Sequence, residues 1–147
     1  MFKLAEKAGI DHLNGMMEWV LEKSSEYVTL SKKQSNEIQI VCEEVLANII
    51  LYAYPKTDEP GDVMLELEFE EETGMLIICF IDSGIAFNPL EKDKPDLTAD
   101  IMERPIGGLG IFIIRKIADS VQYERLEDQN RLTVQIKYRA GEEKEVK

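Results

Sequence analysis

Cysteine, histidine and basic side chains are all scarce in this sequence of 147 residues. The two cysteines, Cys42 and Cys79, lie inside apolar runs without CxxC or Cys/His spacing. That excludes a disulfide framework and a thiolate metal site, and leaves buried free thiols in a reducing compartment as the expectation. The single histidine, His12, falls on the polar side of an early helical pattern and reads as an ordinary surface residue. Lys and Arg number 17 against 29 Asp and Glu, a net charge of −12. A chain so short of cations lacks the phosphate-neutralising surface that broad nucleic-acid binding needs, and docking on an anionic membrane fails for the same reason. No apolar run approaches the length of a membrane span, and Met1 to Lys7 lacks the apolar stretch of a signal peptide. A cytoplasmic protein is the expectation. Neither GxxxxGK[ST] nor a GxGxxG directly after a strand is present, which excludes the P-loop and the dinucleotide fingerprint.

What is present is enough for a core. Hydrophobic residues make up 44% of the chain, and this length suits one domain rather than a disordered acidic segment. Phe2 and Leu4 suggest a short first strand. Ile10, Leu13, Met16, Met17, Val20 and Leu21 then recur at three and four, the period of an amphipathic helix. Gly15 in its middle costs that helix about 1 kcal/mol against alanine, so packing is expected to compensate. Ser31 and Gln34 have capping-box spacing ahead of an apolar stripe through Ile38, Val41, Val45, Ile49 and Tyr52, which Pro55 ends.

Val63, Leu65, Leu67 and Phe69 alternate with Met64, Glu66, Glu68 and Glu70, the period of a strand with one face buried and one wet. A turn at Glu71 to Gly74 leads into a more deeply buried strand, Met75 to Ile81. A long loop from Asp82 to Gly107 precedes an apolar helix, Ile111 to Ala118. A last hairpin pairs Val121 to Leu126 with Leu132 to Tyr138 across a turn at Asp128-Gln129-Asn130. The expected fold is a two-layer α+β sandwich: one mixed, mostly antiparallel sheet with helices on one face. A single domain over 1–139 is expected, with a charged, frayed tail over 140–147.

Three polar clusters exceed what such a fold needs. Glu44 and Asn48 stand four apart, so they share a helix face bordering the core. An amide and a carboxylate there suit a hard cation such as magnesium, which takes one or two protein oxygens and borrows the rest of its shell from water and phosphates. Asp82-Ser83-Gly84 follows the buried strand; its carboxylate can accept from an amino group, and Gly84 lets backbone approach a flat ring. Gly107-Gly108-Leu109-Gly110 opens the apolar helix, where exposed N–H groups and the helix dipole make a phosphate cradle. Arg104 stands just before it, placed to reach a terminal phosphate.

In this order, Glu44-Val45-Leu46-Ala47-Asn48, Asp82-Ser83-Gly84 and Gly107-Gly108-Leu109-Gly110 resemble the N box and the two glycine boxes of the bacterial anti-sigma-factor serine/threonine kinases. Those kinases belong to the Bergerat-fold ATP-binding superfamily. The resemblance runs from about Phe2 to Tyr138, and Phe87-Asn88-Pro89-Leu90 and Glu103 to Ile111 extend it. It implies ATP and Mg²⁺ as cofactors, Asn48 on the metal, Glu44 as general base, and Asp82 reading the adenine amino group with Gly84 making room for the ring. It further implies Gly107, Gly108, Leu109, Gly110 and Arg104 on the phosphates, Thr133 framing the adenine side, and a mobile lid over about 85–106. The implied partners are a STAS-type antagonist carrying the acceptor serine and a sigma factor, with no direct nucleic acid; a homodimer is left open. One departure is the stretch Ile49 to Tyr54, where the family often has a histidine. The competing reading is an ATP-gated binding module that sequesters a regulator without transferring phosphate. A detached histidine-kinase catalytic domain is disfavoured, because His12 has no dimerisation hairpin before it.

Overall fold

The computed structural model describes residues 1–55, 59–91 and 108–139, with the side chains of residues 108 and 109 outside that description. The expected tail and the greater part of the expected lid, 92–106, lie outside the described residues.

Strand β1 (Phe2–Lys7) leads through a short 3-10 turn (Ile10–His12) into α1 (Leu13–Tyr27) and α2 (Lys32–Tyr52). Strands β2 (Asp62–Glu70) and β3 (Met75–Asp82) follow, then a second 3-10 turn (Pro89–Glu91) and α3 (Gly108–Ile117). Strands β4 (Ser120–Leu126) and β5 (Gln129–Lys137) complete the order. The sheet runs β1-β2-β3-β5-β4 with every pairing antiparallel. The architecture is thus α+β, a five-stranded sheet packed under helices, as the alternation of the strands demands.

The first strand is longer than Phe2 and Leu4 suggested, because Glu6 and Lys7 continue the register opposite Val63 and Asp62. At α2 the capping box forms as spaced: Ser31 Oγ accepts from the Gln34 N–H at 3.1 Å, and Gln34 Oε1 accepts from the Ser31 N–H at 3.0 Å. Gly15 has no neighbour within 4 Å of where a Cβ would stand, so no close packing offsets its helix cost. The final hairpin turns one residue earlier than expected. Glu127 takes the left-handed conformation at φ 55°, Leu126 pairs with Gln129, and Asn130 is already inside β5.

Leu65, Leu67, Ile78, Phe80 and Val134 point from the sheet into a core with Met16, Val20, Ile38, Val41, Cys42 and Leu46 from the helices. Cys42 is fully enclosed, and burial pushes its thiol up to about 12; both cysteines are free. On the opposite face Glu66 is not a free solvated charge but pairs with Lys3 at 3.7 Å and Arg131 at 3.5 Å. The end of α2 is tied to the sheet by one hydroxyl: Tyr54 Oη donates to the Asp62 carbonyl at 2.6 Å and accepts from the Ser83 N–H at 2.9 Å. That tie sets the exit of β3 against the last turn of α2, and the candidate site lies there.

Candidate functional site

A small cavity of about 30 Å³ opens between α2 and the ends of β3, β4 and β5. Its walls are Val45, Asn48 and Ile49 from α2, Phe80 and Asp82 from β3, Phe87 and Pro89 from the following loop, and Tyr123, Asn130 and Leu132 from the last hairpin. The cavity is mostly apolar with a few convergent polar groups, the composition of a small-molecule site. The aromatic ring of Phe87 stacks on Tyr52 of α2, centroids 5.6 Å apart and planes 27° from parallel, which holds the loop over the cavity.

Asn48 is only 8% exposed, and its amide has no hydrogen-bond partner among the described residues. A buried amide facing a cavity without a protein partner is set up for an external one. No group of three or more His, Cys, Asp or Glu able to hold a metal occurs among the described residues. The orphaned Asn48 oxygen is a donor that fits a hard cation taking one or two protein oxygens and leaving most of its shell to water and phosphate.

One turn earlier, Glu44 leaves the cavity wall and lies against α3. A Cβ on Gly110 would fall on its carboxylate, so the bare backbone of Gly110 is what lets the first turn of α3 approach Glu44. Burial raises the Glu44 carboxyl above its ordinary value, and the neighbouring Glu43 charge adds to the rise. A half-buried carboxylate made more basic is suited to taking a proton.

Asp82 is 6% exposed at the end of β3. Its Oδ1 accepts from the Gly84 N–H at 2.9 Å and from Asn130 Nδ2 at 2.9 Å. Oδ2 has no partner among the described residues, leaving one acceptor for a ligand. Gly84 has a different reason from the expected one. A Cβ there would collide with the Ala53 carbonyl, and the same carbonyl accepts from the Ile85 N–H at 2.9 Å. The glycine lets the loop lie on the end of α2; it is a packing requirement within the chain, whatever it also does for a ring.

The structure therefore brings Glu44, Asn48, Asp82, Gly84 and Gly110 to one end of the molecule. Gly108 and Leu109 form the first turn of α3, while Arg104 and Gly107 lie outside the described residues. Thr133 departs from its expected place. Its inward neighbours along β5 are Leu132 and Val134, so the strand's period of two turns Thr133 to the far face of the sheet. There its hydroxyl donates to Cys79 Sγ at 3.6 Å, and Leu132 takes the cavity position. Sequence reasoning missed Asn130 and Tyr123. The signal was available for Asn130: it stands two before Leu132 and continues the inward run Leu132, Val134, Ile136, and a polar side chain in such a run marks a polar pocket.

A five-stranded antiparallel sheet under helices, with Asn48 of α2 and Asp82 at the exit of the central strand lining one cavity and the glycine-opened α3 packed against Glu44 of the same α2, has the fold of an ATP-binding domain of the Bergerat type. Residues 7–136 match the family described as the histidine kinase-like ATPase domain, and the chain belongs to that family. It is 25% identical over 113 residues to the serine/threonine-protein kinase BtrW of Bordetella bronchiseptica, covering 74% of this chain and 78% of the relative. Among solved structures, the Erythrobacter litoralis EL346 blue-light activated histidine kinase superposes with a TM-score of 0.58 over 84% of this chain at 13% identity. The chain spans 41% of that kinase's length, and the likeness speaks for the fold. No described helix is long and apolar enough to cross a membrane.

Proposed function

We propose that this chain is an ATP-dependent protein serine/threonine kinase of the cytoplasm. In this reading it phosphorylates a serine on a STAS-type antagonist protein and acts as an anti-sigma-type regulator in a partner-switching pathway. The observation that carries the proposal is Glu44: a half-buried carboxylate with raised basicity, seated against Gly110 at the opening of α3, one helical turn from the Asn48 amide, which has no partner among the described residues. The similarity to BtrW, named a serine/threonine-protein kinase, supports the same activity.

In this reading Asn48 is the protein ligand of Mg²⁺, which when bound neutralises charge on the ATP phosphates. Asp82 Oδ2 accepts from the adenine amino group, and the ring lies among Phe80, Phe87 and Leu132. Gly108, Leu109 and Gly110 direct backbone N–H groups at the phosphates, with Gly107 and Arg104 completing that end. Glu44 takes the proton of the acceptor serine, help worth about 10²- to 10⁴-fold. Phosphoryl transfer needs little more from a protein than positioning and charge neutralisation, so this small set suffices.

Incubation with labelled ATP and a STAS antagonist tests the proposal: label is expected on a serine of the antagonist. Glu44→Ala is expected to abolish transfer and leave ATP affinity within about 3-fold, since it removes the base and not the binding contacts. ATP binding without transfer by the unaltered chain, even at high enzyme concentration, would sink the kinase reading in favour of the ATP-gated binding module.

A further inference from the structure

Asn130 uses every hydrogen-bonding position it has. Its Nδ2 donates to Asp82 Oδ1 at 2.9 Å and to the Ile85 carbonyl at 2.7 Å. Its Oδ1 accepts from the Phe87 N–H at 3.3 Å and from the Tyr123 hydroxyl. An Asn amide has two donors and two acceptor lone pairs, so no capacity remains for a ligand. The amide has one sensible orientation, because a flip would set oxygen against the two acceptors Asp82 Oδ1 and Ile85 O. Asn130 is 5% exposed, and the hairpin grips the same loop a second time where Arg125 Nη1 donates to the Gly84 carbonyl at 2.9 Å.

The consequence falls on Asp82. With Oδ1 doubly occupied by Gly84 N–H and Asn130 Nδ2, the carboxylate cannot rotate without breaking both bonds, and Oδ2 is the oxygen left for the cavity. We infer that Asn130 is a positioning residue, locking Asp82 and the Ile85–Phe87 backbone into one unit so that a single carboxylate oxygen reads the exocyclic amino group of a 6-aminopurine nucleotide. This rests on the nucleotide reading of the cavity and adds to it the group that sets the base preference. Asn130 touches no ligand itself; its effect passes through Asp82.

The test is a ligand pair, ATP and purine riboside 5′-triphosphate, which lacks the 6-amino group, measured by equilibrium binding to the unaltered chain and to two variants. Asn130→Ala is expected to weaken ATP by about 10-fold, the range for a hydrogen bond to a charged group, while the analogue changes by less than about 2-fold. The preference for ATP then collapses. Tyr123→Phe, which removes one hydroxyl on the side of Asn130 away from Asp82, is expected to shift the same preference by a smaller factor. It decides the question alone if Asn130→Ala does not fold. An equal loss for both ligands means a purely structural Asn130 and overturns the inference, as does no loss for either. Failure of the unaltered chain to bind either ligand overturns the nucleotide reading, and this inference with it.

Discussion

Glu44 is an ionisable side chain partly withdrawn from water and set beside a like charge, Glu43. Its folded-state pKa is raised by burial and by Glu43, so the stability its carboxyl contributes is complete below the unfolded value and lost as pH rises through the folded one. Glu44→Gln removes that loss. The variant is expected to melt at or above the unaltered chain near about pH 8, the difference closing below about pH 4.5; thermal melts across this range check it. Under the proposed function the acid limb of kcat/KM should have its midpoint above the ordinary glutamate value of 4.5. A limb at or below that value would separate Glu44 from the proton transfer. At this scale the positions of Glu44, Asn48 and Asp82 in the fold were legible, because a helix period and a strand end dictate where such side chains stand. Thr133 was misread, since one step along a strand reverses its face.

Glycines decide how closely the elements approach. At Gly84 an added Cβ meets the backbone carbonyl of Ala53, which cannot move without distorting the end of α2. At Gly110 it meets the far end of a flexible side chain, Glu44. The two alanine variants should therefore separate. Gly84→Ala is expected to lose about 1–3 kcal/mol of stability by overpacking, with nucleotide affinity falling alongside. Gly110→Ala should keep its melting temperature, because alanine favours a helix, yet lose about 100-fold in transfer rate as the base is displaced. Denaturant titration and single-turnover transfer on both variants check the contrast. Sequence spacing located both glycines but assigned them to a ligand, Gly84 as room for a flat ring and Gly110 as part of a phosphate cradle. The close approach of α2 to both segments is tertiary, and no local pattern reports it. The same holds for the Tyr54 tie and for Asn130, whose partners lie 43 to 48 residues away or across a hairpin turn.

For the whole molecule the question is how a chain of net charge −12 receives an anion. The cavity wall is largely apolar, so under the proposed function attraction is confined to the opening of α3 and to a cation, while the net negative charge at large repels. Salt screens the long-range part of that repulsion, with a Debye length of about 10 Å at 0.1 M. The association rate of ATP is therefore expected to rise by roughly 2- to 5-fold between about 10 and 150 mM salt, opposite to the trend of a nucleic-acid-binding protein. Stopped-flow mixing at graded ionic strength checks it; a falling rate would mean that a basic surface steers the ligand. Composition alone foresaw this conflict of sign, and the alternating strands foresaw the two layers, because both are properties of the average residue.

The strand order β1-β2-β3-β5-β4 also imposes a timetable. β3 finds its first neighbour, β2, across a four-residue turn, whereas its other edge waits for β5, some 50 residues further along the chain. On a ribosome, α1, α2 and the first three strands emerge and can pack while Asp82 still lacks Asn130 and the cavity still lacks its wall of Tyr123 and Leu132. Under the proposed function, nucleotide is thus unable to assist the early folding of this chain. It becomes a stabilising ligand only when the last hairpin closes, so the nascent protein passes through a stage with an exposed strand edge on β3 that ATP, however abundant, does nothing to protect.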